Sequence, residues 1–177
     1  MDGVGHRRPR LSTCGTALAV TALLVVTASV LGVLPLQPVR TGSGSMAPAA
    51  PTGALLLVQH GAGQVGRRDV VTVSADVTGE PLVKRVVAVG GDEVAIEDGV
   101  LVVDGRPVCE RDVDPDRLDG VWFGPVRVPA GSVFLLGDDR AGSVDSRVFG
   151  AVPVAALTGR VLLRLWPAPA ALDDGLC

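Results

Sequence analysis

The chain has 177 residues, room for one domain of ordinary size, with 47% apolar residues, a formal net charge of −3 and a positive mean hydropathy. That balance excludes disorder over most of the length, and the lack of a basic run beyond residues 6–10 excludes a nucleic-acid partner. All but one of the 16 basic residues are arginine, and the exception, Lys84, invites a reason: arginine replaces lysine on a solvated surface but not where an amine must lose its proton.

In chain order, residues 1–10 form a basic start with Arg7, Arg8 and Arg10, and residues 11–34 carry no charge. At ~1.5 Å per residue this segment spans ~36 Å as a helix, enough to cross a ~30 Å hydrocarbon core with some tilt. Only Arg40 follows it closely, so the positive flank predicts an N-terminus inside and residues 35–177 outside. An uncleaved anchor is favoured over a cleaved secretory signal, because the apolar run is long and no small-x-small site ends it.

The exported part, 35–166, is predicted to be mainly β. Short Val- and Leu-rich runs at 54–58, 69–74, 82–89, 93–97, 100–103, 132–136 and 159–166 are separated by Gly, Pro and Asp. Asp98-Gly99 and Asp104-Gly105 signal type I′ hairpin turns, which need positive φ at both central residues. Residues 98–125 form a small variable region, with 110–125 an acidic surface loop. The whole suggests an all-β sandwich or closed barrel. Residues 167–177 are predicted to be a frayed tail.

No metal or nucleotide cofactor is expected. His6 and His60 lie far apart, Cys14, Cys109 and Cys177 form no CxxC pair, and no GxGxxG or Walker loop occurs. Cys109 and Cys177 fit no known disulfide scaffold and are expected to be free thiols rather than a pair.

Three polar boxes carry the candidate chemistry. The first is Thr41–Pro48, TGSGSMAP, placed just beyond the membrane segment; taken alone, such a Ser/Gly-rich stretch is usually a linker. The second is Leu82–Val87. Strand alternation puts Leu82, Lys84, Val86 and Ala88 on one face and Val83, Arg85, Val87 and Val89 on the other. An amine among apolar neighbours loses affinity for its proton, although a snorkelling edge lysine reads equally well. The third is Gly137–Arg147, GDDRAGSVDSR, a polar turn after strand 132–136.

In this order the boxes resemble the type I signal peptidases, membrane-anchored Ser–Lys serine proteases, whose pattern SxSMxP, then a KR-hydrophobic strand, then GD-x-R-x-x-S-x-DSR is matched by Ser43–Pro48, Lys84–Val87 and Gly137–Arg147. Gly90-Gly91-Asp92 and the ending Gly159–Pro167 are similar to that family too. The short region 98–125 resembles its compact Gram-positive forms. The resemblance implies a signal-peptidase-like β catalytic domain behind one N-terminal transmembrane helix, embedded in the cell membrane with the domain outside. It implies Ser45 as nucleophile and Lys84 as general base, with the Ser43 hydroxyl and the Ser45 N–H as oxyanion hole. Ser143 is to orient the lysine amine, while Asp145 and Arg147 form a structural ion pair that Asp138 supports. Met46, Leu82 and Val83 are to contact substrate. The partners implied are secretory precursors and the lipid bilayer. Cleavage would follow small residues in Ala-x-Ala-like sites, without metal or other cofactor. Gly42 and Ala49-Ala50-Pro51 depart from the pattern where the small-residue pocket forms, and Asp139 stands where Asn is usual.

Two other readings remain. A dedicated or conjugation-linked Ser–Lys peptidase shares these boxes. A membrane-anchored β-domain that only binds partners predicts that Ser45 and Lys84 lie apart or exposed.

Overall fold

The computed structural model describes residues 13–30, 35–61, 63–111, 113 and 122–172, with no account of the side chains of residues 13, 14, 29 and 30. The expected basic start at 1–10, both ends of the expected membrane segment (11–12 and 31–34), most of the expected acidic loop (112 and 114–121) and the end of the expected tail (173–177) lie outside the described residues. Helix α1 covers Thr13–Val30 within the segment expected to span the bilayer, and its Leu18, Leu23 and Leu24 are exposed. Among the described residues no helix is long and apolar enough to cross a membrane.

The remainder is mainly β, as expected. The strands are β1 (Leu36–Arg40), β2 (Leu55–His60), β3 (Val70–Val73), β4 (Leu82–Val89), β5 (Glu93–Glu97), β6 (Val100–Val103), β7 (Arg106–Pro107), β8 (Phe123–Arg127), β9 (Ser132–Leu136), β10 (Val152–Pro153) and β11 (Leu157–Trp166). Two single-turn helices, α2 (Ala75–Thr78) and α3 (Ser146–Phe149), interrupt them. A seven-stranded antiparallel sheet runs β1-β2-β11-β3-β4-β9-β10, and a four-stranded one runs β7-β6-β5-β8. The hairpins β5–β6 and β6–β7 close through Asp98-Gly99 (φ 51 and 80) and Asp104-Gly105 (φ 52 and 70), the left-handed pairs that type I′ turns need.

The apolar runs fill three cores. Met46, Ala50, Leu56, Val58, Val70 and Val161 form the first, beneath the β1–β2 loop. Val87, Ala88, Val94, Ile96, Leu101, Phe134 and Leu136 join the two sheets in the second, where the rings of Phe123 and Phe134 lie 5.5 Å apart. Val71, Val73, Val86, Val133, Leu135 and Leu157 form the third. Burying each such Val, Leu or Phe contributes about 1.5–3 kcal/mol, so the sheet that carries the site is rigid.

Strict alternation along β4 fails at its far end. The register against β9 shifts between Val86 and Ala88. Beyond that bulge Ala88 joins Val87 in the second core, and Val89 packs with Val86 in the third. A bulge inserts one residue and swaps the faces that follow. Lys84 lies before it and keeps its predicted face.

Three further expectations are corrected. The loop foreseen at 110–125 ends in a strand, since Phe123–Arg127 pairs with β5. Residues 167–172 are packed rather than frayed: Ala170 and Arg164 exchange backbone hydrogen bonds of 2.8 and 3.0 Å, and Leu172 is buried in the first core. Cys109 is disulfide-bonded, not a free thiol. The fold, not the interval along the chain, brings sulfurs together, which is why spacing misled here.

Candidate active site

The β1–β2 loop is closed by Thr41. Its Oγ1 donates to the Pro51 carbonyl at 2.6 Å and accepts from Ala54 N at 2.9 Å, and Thr41 N donates to the Ala54 carbonyl at 2.9 Å. The first box is therefore a fixed loop and not a linker, with Ser45 9% and Met46 1% exposed. It is irregular from Thr41 to Ser45, not strand-like, and then turns through bonds from Ala47 N to Gly44 O and from Ala50 N to Met46 O. Gly, Ala and Pro at these positions offer little to a sheet.

β4 carries Lys84 into the interior opposite this loop, where it is 1% exposed. Its Nζ donates to Ser45 Oγ at 2.7 Å, and Ser43 Oγ donates to the same oxygen at 3.3 Å. Burial pushes the lysine amine below its ordinary value, and the Arg147 charge adds to this; Asp145, Asp138 and Glu80 oppose it. Desolvation outweighs all three carboxylates, so the amine is held toward its neutral form.

The third box begins where β9 ends, because Leu136 pairs with Arg85 beside the lysine. Asp139 N donates to the Ser45 carbonyl at 3.1 Å, which ties this turn to the serine loop. Asp145 is fully buried and organises the turn. Its carboxylate caps α3 at Arg147 N (3.2 Å), accepts from Gly137 N at 3.1 Å and from Arg147 Nε at 2.9 Å. Arg147 Nη2 reaches on to the Arg140 carbonyl at 2.6 Å.

One expected contact differs. Ser143 Oγ is buried but has no hydrogen-bond partner among the described residues, so the bond to the lysine amine is not made. The hydroxyl is instead pressed against Gly137, where an added Cβ would lie 2.2 Å from it and 2.5 Å from the Ser45 carbonyl. Asp138 takes Arg85 in a bidentate pair, Nε and Nη2 each at 2.8 Å, because β4 places Arg85 directly beside the end of β9. The motif match included Arg85 beside Lys84 but assigned it no role of its own.

A cavity of about 360 Å3 opens beside the serine. Ser43, Ser45, Met46, Leu82 and Val83 line it, and so do Gly42, His60 and Glu80. The three residues expected to contact substrate thus share one cleft with the serine. Its lining is mixed, apolar at Val39, Met46, Leu82 and Val83 and polar or charged at Gln37, Arg40, His60 and Glu80.

A family model described as "Signal peptidase, peptidase S26" matches residues 14–166. The chain belongs to that family. It is 36% identical over 138 residues to the signal peptidase I of Bacillus caldolyticus, an alignment covering 70% of this chain and 75% of that protein. It is 41% identical over 107 residues to the signal peptidase I of Mycobacterium tuberculosis, covering 49% of this chain but only 36% of the other. A crystal structure of a signal peptidase I from Enterococcus faecalis aligns at 26% identity and a TM-score of 0.47, over 56% of this chain and 97% of that one. As a member of the signal peptidase family the chain is a serine peptidase that removes signal peptides.

Within this signal peptidase Gly137 is a point of close approach. Gly137→Ala is expected to lower kcat on the order of 10²-fold, because the new methyl group must displace Ser143 or the Ser45 backbone, and a misplacement of about 1 Å costs that much. Steady-state cleavage beside a thermal melt checks this; an unchanged kcat in a folded variant contradicts it.

Proposed function

We propose that Ser45 is the nucleophile and Lys84 the general base of this signal peptidase. The observation that carries the reading is the 2.7 Å contact between Ser45 Oγ and the buried Lys84 Nζ. A neutral amine at that distance takes the serine proton as Oγ bonds to the scissile carbonyl carbon. As the C–N bond breaks, the ammonium returns the proton to the leaving amine. Water then attacks the acyl-enzyme, giving a proton to Lys84, and as the acyl C–Oγ bond breaks the ammonium returns that proton to Ser45 Oγ. The Ser43 hydroxyl and the Ser45 N–H stabilise the oxyanion. The 3.3 Å contact between the two serine hydroxyls supports that role, since it keeps Ser43 at the reacting atom. Arg147, Asp145 and Asp138 act through the turn and through Arg85, and none of them is assigned a chemical step. Ser143 is proposed to orient the lysine amine toward Ser45, its own hydroxyl being buried and without a partner among the described residues.

Met46, Leu82 and Val83 form the wall against which small side chains of an Ala-x-Ala-like site pack, in an extended peptide lying along the exposed part of the Leu82–Lys84 backbone. Residues 11–34 anchor the enzyme in the cell membrane with the N-terminus inside, so the site meets precursors just outside the bilayer. Tethering enzyme and substrate in one plane raises their effective concentration. A reading in which the domain only binds partners does not account for a lysine buried against a serine.

The test is cleavage of a secretory precursor by the purified full chain in detergent. Ser45→Ala is expected to leave no turnover, and retained cleavage would overturn the reading. Ser43→Ala is expected to lower kcat by about 10²–10³-fold with KM little changed, the usual effect of losing one oxyanion donor. An equal rise in KM with kcat intact would place Ser43 in ground-state binding instead.

A further inference from the structure

We infer that the segment Pro167–Leu172, through Arg164 and Leu172, is a positioning strap that sets Ser45 against Lys84; this rests on the Ser45–Lys84 reading above.

After β11 the chain reverses and pairs with itself, Arg164 N donating to the Ala170 carbonyl at 2.8 Å and Ala170 N to the Arg164 carbonyl at 3.0 Å. The Arg164 side chain bridges this return to the serine loop. Its Nε donates to the Ala168 carbonyl at 3.0 Å, and its Nη1 reaches the carbonyls of Pro48, at 3.4 Å, and Ala49. Those carbonyls lie three and four residues beyond Ser45, on the far side of Met46. One planar guanidinium with donors in a fixed fork thus spans two chain segments that share no strand pairing.

Leu172 completes the contact from below. It is 5% exposed and packs in the core formed by Met46, Ala49, Ala50 and Leu56, directly beneath the serine loop. Its carbonyl accepts from Arg85 Nη1. Arg85 follows Lys84 in β4 and holds Asp138 at 2.8 Å, and Asp139 N in turn donates to the Ser45 carbonyl. The strap therefore closes a ring through the serine loop, the lysine strand and the third box. Without it the loop beyond Met46 is held mainly by its own turn and by Thr41. The dyad needs a contact of hydrogen-bond length, and small displacements there change rate more than they change folding.

The experiment compares Arg164→Met, Arg164→Lys and Leu172→Ala in the full chain, with Ser45→Ala and Lys84→Ala as controls. Cleavage of a precursor is measured at a temperature where melts show every variant folded. Arg164→Met and Leu172→Ala are expected to lower kcat by roughly 10–10²-fold with KM within about twofold of wild type. Arg164→Lys keeps a donor for the Pro48 and Ala49 carbonyls and is expected to recover most of that loss, which a merely structural role does not predict. Full kcat in both Arg164→Met and Leu172→Ala overturns the strap while leaving the dyad intact. A loss that Arg164→Lys does not relieve, or one confined to melting temperature, also overturns it. Retained cleavage in Ser45→Ala or Lys84→Ala removes the dyad, and the strap falls with it.

Discussion

Lys84→Arg is expected to be as inactive as Lys84→Ala, each lowering precursor cleavage by at least about 10²–10⁴-fold, the share that a positioned general base supplies. Arginine keeps the charge and the donors but stays protonated, so it cannot take the proton from Ser45. The same argument fixes the pH dependence of the wild type. The lysine amine is held below its ordinary value chiefly by burial, and the neutral form is the active one. Cleavage therefore rises with pH through that lowered value and levels off before the ordinary lysine range. Stability moves in the same sense. Between the lowered value and the ordinary one, the unfolded lysine binds a proton that the folded lysine does not, so the folded state gains stability as pH rises across that window. Lys84→Met removes this cost, and is expected to be inactive yet at least as resistant to urea at neutral pH. A pH–rate profile and urea melts at two pH values check both statements. An active Lys84→Arg, or a rate that falls as pH rises through neutrality, refutes the assignment.

What could be read from the sequence follows from which forces are local. β4, β5, β6 and β9 are Val- and Leu-rich runs bounded by Gly and Asp, and their Asp-Gly turns impose local geometry, so both strands and hairpins were legible. β1 and β8 were not. Each carries a proline, Pro38 and Pro125, and each lies at the edge of its sheet, a setting in which a strand tolerates that residue. Pairing with a neighbour, not internal pattern, makes them strands. The chemistry-bearing residues Ser45 and Lys84 were legible as motif residues, whereas their 2.7 Å contact depends on two elements 39 positions apart. Contacts made at long range by polar groups stayed hidden. Arg85 and Asp138 are separated by 53 positions, and Arg164 reaches a loop more than a hundred residues earlier. Nothing in the periodicity of either segment marks them, because a guanidinium chooses carbonyls and carboxylates that only the finished fold presents.

The Arg85–Asp138 pair leads to the second large effect, and this one acts on stability. Arg85→Met and Asp138→Ala are each expected to destabilise the domain by about 3–5 kcal/mol, because each breaks a buried bidentate ion pair by removing one of its two charges. Asp138 is 1% and Arg85 7% exposed, so water cannot take over the lost contacts. Against a typical total of about 5–15 kcal/mol this is a large fraction, and corresponds to a fall in Tm on the order of 10 °C. Arg85 also donates to the carbonyls of Arg68 and Leu172, so its removal is expected to cost more than that of Asp138. The double variant Arg85→Met/Asp138→Ala is expected to lose less than the sum of the singles, since neither half of the pair is then left without the other. Urea melts of the two singles and the double form a complete cycle. Single costs below about 1 kcal/mol would mean that the site tolerates the loss of either charge, and strict additivity would mean that the two do not act as a pair.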